Sequence, residues 1–163
     1  MNPSPDEVVE LDPHTFGAES PCFGCSPSHP TGFHLTFERR GEDVVTRFVP
    51  AEAHQGPPGL MHGGLVTTLA DELAAWTIVA LRGRLGFTAA MEARFRKPLR
   101  IGKQVVGTGR IVEGGGRVVK VAVTLDQEGE AFTGRFTFAV LDRSGAERVL
   151  GIELPETWRK FCR

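Results

Sequence analysis

From Phe33 the chain alternates apolar and polar positions. Phe33, Leu35 and Phe37 share one face, Arg39-Arg40-Gly41-Glu42-Asp43 interrupts, and Val45, Arg47 and Val49 return against Val44, Thr46 and Phe48. Alternation on both sides of a polar, glycine-bearing break predicts a β-hairpin. The period then changes. After the irregular stretch Gly56-Pro57-Pro58-Gly59-Leu60-Met61-His62-Gly63-Gly64, residues Leu65, Leu69, Leu73, Trp76 and Ala80 recur at helical spacing, which predicts a long helix to about Arg82. Gly83 to Gly86 stops it. Four β-type segments follow, Phe87–Lys97, Lys103–Glu113, Gly116–Asp126 and Ala131–Leu141, with hairpin turns at Gly114-Gly115-Gly116 and Glu128-Gly129-Glu130. Val119, Val121, Val123 and Leu125 make one inward face, and Phe132, Phe136, Phe138 and Val140 another. Pro155–Arg163 reads as a short terminal helix. Residues 1–21, with Pro3, Pro5 and Pro13 and no clear period, read as a loosely attached arm. The divisions are therefore 1–21, 22–150 and 151–163.

A hairpin, one long helix and four long strands with short turns make an α+β fold with an antiparallel sheet. A helix apolar on nearly every side must be wrapped on most sides, so the sheet has to curl around this central helix. Long valine- and phenylalanine-rich strands leave edges that a second copy can extend, so self-association to a dimer or tetramer is expected.

Composition narrows the function classes. At 163 residues the chain suits one domain with its own core. A formal net charge of -1, from 19 Lys and Arg against 20 Asp and Glu, gives no electrostatic case for nucleic acid. Met1–Glu10 is polar and acidic, unlike a signal segment, and no uninterrupted apolar run looks long enough for a bilayer. A cytoplasmic protein without membrane contact is expected.

Two places carry candidate chemistry. A glycine-rich helix start offers free N–H groups and the positive end of the helix dipole. Two turns inside that apolar helix stand Asp71 and Glu72, and a carboxylate there needs a partner or a purpose. Asp71 lies on a side with Gly64, Thr67, Thr68 and Ala75, small residues that leave room for a ligand. Glu72 falls near Trp76 and Val79 and suits a structural ion pair, for instance with an arginine. Cys22-Phe23-Gly24-Cys25, with His29 and His34 beyond, lacks the ligand spacing of a zinc finger, and prolines follow it where a redox pair would open a helix. A small buried turn is the simpler reading. No metal and no cofactor are expected.

The segment His62-Gly63-Gly64-Leu65-Val66-Thr67-Thr68-Leu69-Ala70-Asp71 fits the H-G-G-x(6)-D pattern. With the loop His54-Gln55-Gly56-Pro57-Pro58-Gly59, the opening Cys22-Phe23-Gly24-Cys25…Pro30-x-Gly32 and the exit Phe95-Arg96-Lys97-Pro98, the chain resembles the hotdog-fold acyl-CoA thioesterase superfamily, 4-hydroxybenzoyl-CoA thioesterase-like and of the phenylacetate-pathway type. The resemblance covers roughly residues 22–141. It implies that 22–150 is a hotdog domain hydrolysing an acyl-CoA thioester to acid and CoA at a site shared between two subunits. By that resemblance Asp71 is general base or nucleophile, the Gly63 and Gly64 N–H groups form the oxyanion hole, and Thr88 holds the attacking water. Gln55 would polarise the carbonyl, although the same amide suits a loop tie. His54, His62 and Thr67 border the substrate, His62 more as a loop anchor than a base. Arg94, Arg96, Lys97 and Arg100 would meet CoA phosphates, or else form a solvated face. Trp76, Phe87 and Phe95 suit core positions or apolar acyl contacts.

Spacing adds an independent point. Eight helical residues separate Gly63 from Asp71, about 12 Å, too far for both to act on one carbonyl in a single subunit. Antiparallel helices across a dimer axis would bring them together. Two alternatives stand beside hydrolysis: a non-catalytic acyl-CoA-binding protein, and an enoyl-CoA hydratase, for which the loop and helix lack a paired Asp and His.

Overall fold

A computed structural model of the chain describes residues 7–163. Its strands are β1 (Val8–Glu10), β2 (Phe37–Arg40), β3 (Asp43–Phe48), β4 (Gly86–Phe95), β5 (Val105–Glu113), β6 (Val118–Asp126) and β7 (Glu130–Val140). Its α-helices are α1 (Gly63–Arg82), α2 (Arg143–Leu150) and α3 (Glu156–Arg159), with one 3₁₀ turn at Glu52–His54. The seven strands form one antiparallel sheet in the order β1-β2-β3-β5-β6-β7-β4, so β1 and β4 are its edges. The sheet curls around α1, which touches every strand from β2 to β7. This is the curled antiparallel sheet around one helix that the pattern predicts, and the hotdog fold that the resemblance implies.

The faces of β6 and β7 are as read, with Val121, Leu125, Phe132 and Phe136 fully buried against Leu69, Leu73 and Ile78 of α1. Contact between helix and sheet is closest at β5. A Cβ on Gly109 would stand 2.2 Å from Thr77 Oγ1, and one on Gly107 2.8 Å from Leu73 Cδ2, so a side chain at either position would displace the helix residue against it. The buried face of α1 is consequently wider than a single stripe. Val66, Ala70, Ala74, Thr77, Ile78 and Val79 are buried, whereas Leu65 and Ala80 are only partly covered. By length and mean hydropathy (1.4) α1 would pass for a membrane span, contrary to the expectation that no run qualifies, but half of it is buried inside the fold.

Other departures have local causes. The predicted hairpin strand from Phe33 begins only at Phe37, because Phe33 and Leu35 donate their N–H groups to the Phe23 and Gly24 carbonyls of the cysteine turn. The arm contributes β1, which pairs Val8–Glu10 with Arg40–Glu38. The arm also sends Phe16 inward, edge-on to Trp76 and Trp158. Trp76 is core, stacked on Phe37 with centroids 4.9 Å apart. Phe87 packs in a second cluster with Ala146, Leu154, Cys162 and Trp158, beside α2, which the pattern missed. Phe95 is not core at all, being 56% exposed.

Candidate active site

The helix start is built by His62. Its Nδ1 accepts the Gly64 N–H at 3.0 Å, and its carbonyl accepts from Leu65 and Val66, so it caps α1. Gly63, the first helical residue, is left with an N–H that meets no protein acceptor among the described residues, and its exposed backbone faces the Phe95 ring. The oxyanion donor expected at Gly63 is thus open. The Gly64 N–H is engaged by the cap.

The preceding loop is tied both to itself and to the segment after β4, Met61 N–H donating to the Leu99 carbonyl and Ile101 N–H to the Gly59 carbonyl. Gln55 Oε1 accepts the Gly59 N–H at 2.6 Å and its Nε2 donates to the Glu52 carbonyl, so the amide ties the loop closed. His54 Nδ1 accepts the Ala51 N–H, the ring lies against Phe33 and Phe48, and burial lowers its pKa.

Two turns along α1, Asp71 Oδ1 accepts a 2.7 Å hydrogen bond from Thr88 Oγ1. Between them run the rest of α1, the turn Gly83–Leu85 and the start of β4, and a β-bulge at Ala89 lies directly after Thr88. Thr88 pairs with Phe138, whose side chain is buried under the sheet, so Thr88 points to the helix side. Thr67, Thr68, Asp71, Thr88, Ala89, Ala90 and Met91 line an open cleft of about 300 Å³. The hydroxyls of Thr67 and Thr68 both donate to the Gly64 carbonyl. Burial holds the Asp71 carboxyl above its usual range, and the Thr88 bond pulls it partly back. A carboxyl with raised pKa beside a small open cleft can take a proton from water.

The basic residues are elsewhere. Arg94 and Arg96 lie with Arg135 and Glu92 in a shallow depression across β4, β6 and β7, with Arg94 opposite Thr133 on the sheet face away from the Asp71 cleft. Arg96 pairs with Glu130 at 2.6 Å, Lys97 donates to the Glu128 carbonyl, and Arg100 is fixed through its backbone to Gln127. Met91, Ala89 and Ala90 escaped sequence reasoning, since nothing in the pattern marks the bulge that brings them to the cleft.

Among the described residues Glu72 has no arginine partner. Cys22 Sγ donates to its Oε1 at 3.3 Å and Trp76 Nε1 donates to the same oxygen at 3.2 Å. The cysteine turn therefore reaches the helix one residue from Asp71, a contact the spacing alone does not reveal.

Residues 58–132 match the model of the thioesterase superfamily. Acyl-coenzyme A thioesterase 13 of Mus musculus is 28% identical over 85 residues, covering 52% of this chain and 61% of that protein. The chain thus spans less than two thirds of the curated relatives it matches. A thioesterase superfamily protein from Shewanella loihica is 26% identical with a TM-score of 0.60, over 75% of this chain and 95% of that one. A hypothetical thioesterase protein with coenzyme A from Streptococcus pneumoniae shares the fold at 21% identity and a TM-score of 0.61, over 65% of this chain and 87% of that one. The segment that matches the thioesterase superfamily model runs from the glycine loop through α1 and Asp71 into β7.

Proposed function

We propose that the protein is an acyl-CoA thioesterase in which Asp71 activates water for attack on the thioester carbonyl. The observation that carries the reading is the Asp71–Thr88 pair in an open cleft, on the same helix whose start leaves the Gly63 N–H free. Thr88 holds Oδ1, which leaves Oδ2 to take the water proton. Attack builds negative charge on the carbonyl oxygen, and a backbone N–H at a helix N-terminus stabilises it. Relatives named as acyl-coenzyme A thioesterases and a neighbour solved with coenzyme A support the choice of acyl-CoA as substrate class.

The two groups lie about 12 Å apart along one helix, so the working site combines Gly63 of one protomer with Asp71 of its partner. Edge strand β4, with Met91 54% and Phe95 56% exposed, is the surface suited to that pairing. A panel of acyl- and aryl-CoA esters, followed by release of free thiol, tests the reading. Asp71→Ala is expected to lower kcat/KM by about 10²–10⁴-fold on every ester that the wild type hydrolyses. Unchanged kcat/KM, or tight ester binding without turnover in the wild type, would overturn it.

A further inference from the structure

One group of nucleophilic and titratable side chains has no part in that mechanism: Cys22, Cys25 and Glu72, whose ligating atoms lie within 4.8 Å of one another. Cys25 Sγ is 3.0 Å from Cys22 Sγ, closer than two unbonded sulfurs ordinarily come, and the Cys25 N–H also points at Cys22 Sγ at 3.4 Å. The turn is built to hold this geometry. Ser26 N–H donates to the Cys22 carbonyl, Leu35 N–H donates to the Gly24 carbonyl, and a Cβ at Gly24 would stand 2.5 Å from the Glu72 carboxyl carbon. The two thiols are unequal. Cys22 is half-buried and approachable, whereas Cys25 is buried behind it. Donation from Cys25 brings the Cys22 thiol down to about 5 and drives Cys25 up, while burial and the neighbouring Cys22 charge push Glu72 to about 8. Cys22 is thus the more readily ionised of the two thiols, and Cys25 the one that holds its proton.

We propose that Cys22 and Cys25 are a reversible thiol–disulfide pair, with Cys22 the attacking sulfur and Cys25 the resolving one, oxidised by small disulfides such as glutathione disulfide. Cys22 thiolate attacks one sulfur of glutathione disulfide, forming a mixed disulfide and expelling one glutathione thiolate. Cys25, losing its proton, attacks Cys22 Sγ, forms the Cys22–Cys25 bond and expels the second glutathione. Two protein sulfurs are oxidised and one disulfide is reduced; the Cys25 proton ends on one glutathione and the other glutathione thiolate takes its proton from solvent. Oxidation leaves Glu72 with Trp76 as its hydrogen-bond donor.

A metal reading is less well supported. Three donors fall short of the four a structural zinc takes. The nearby histidines are otherwise engaged, His34 Nε2 with the His29 carbonyl and His29 Nδ1 with the Thr31 N–H.

The full chain, equilibrated in glutathione buffers of graded ratio, acid-quenched, alkylated after unfolding and mapped by mass spectrometry, tests the proposal. Cys22 and Cys25 are expected to lose alkylation together as one cross-linked peptide two hydrogens lighter, with Cys162 still alkylated. Cys25→Ser is expected to stop at a glutathione adduct on Cys22, and Cys22→Ser to give neither product. The wild-type peptide map stands without the variants should either fail to fold. Full alkylation of both cysteines at every ratio, or one equivalent of copurified zinc that protects both, would overturn it.

Discussion

Asp71 is held by a single hydroxyl. Thr88 donates to Oδ1, and its hydrogen bond opposes the upward pull of burial on the Asp71 pKa. Thr88→Ala removes the opposing effect, so the Asp71 pKa rises. The acid limb of the kcat/KM profile, where a base loses activity by protonation, is expected to move to higher pH. Profiles recorded on one thioester for both proteins check this, and an unmoved limb would separate Asp71 from the titration. Gln55 illustrates the converse. Both ends of its amide serve the loop, so its contribution is to the shape around Gly63.

At the scale of elements, the contact between the cysteine turn and α1 shifts two acids in opposite directions, the Cys22 thiol down to about 5 and the Glu72 carboxyl up to about 8. A lowered thiol makes stability rise with pH and a raised carboxyl makes it fall, so the two effects oppose each other between those values. Removing either partner exposes the other. Cys22→Ser leaves a buried acid with raised pKa, and stability is expected to fall as pH rises through this window. Glu72→Gln leaves a thiol with lowered pKa, and stability is expected to rise with pH. Thermal melts of the three proteins from pH 5 to 8 show the opposite slopes. Strands β2 to β7, α1 and the Asp71 side of the helix were legible in the sequence, because periodicity reports burial directly, whereas β1 lies in the arm, which shows no period. Helix α2 was not legible either. Arg143–Leu150 carries a glycine and is half polar, and its clearest local signals are the Asp142 cap and Gly151. The Cys22–Glu72 contact and the bulge at Ala89 join residues through the fold, which no local pattern encodes.

For the whole molecule, the distance between Gly63 and Asp71 makes assembly part of the proposed chemistry. Gly63 is the first residue of α1 and follows a cap in extended conformation, so Gly63→Pro deletes its N–H in a position that tolerates proline. That variant is expected to lose about 10²–10³-fold in kcat, and Asp71→Asn to be similarly impaired. In a dimer of one Gly63→Pro and one Asp71→Asn protomer, one shared site carries both defects and the other carries none. Co-expressed or subunit-exchanged mixtures are therefore expected to regain activity. A mixed dimer as inactive as its parents would confine the site to one subunit.

The cleft has two walls of different kinds. Asp71, Thr67 and Thr68 stand on a helix locked to β5 by Gly107 and Gly109, while Ala89, Ala90 and Met91 stand exposed on the edge strand β4. Thr67, Thr68 and Asp71 are half-buried outside the core cluster, and Met91 lies on the edge strand proposed to face a second protomer. On that reading an exchange at Met91 changes the cleft and the seam between protomers together, so acyl preference and assembly would shift as one.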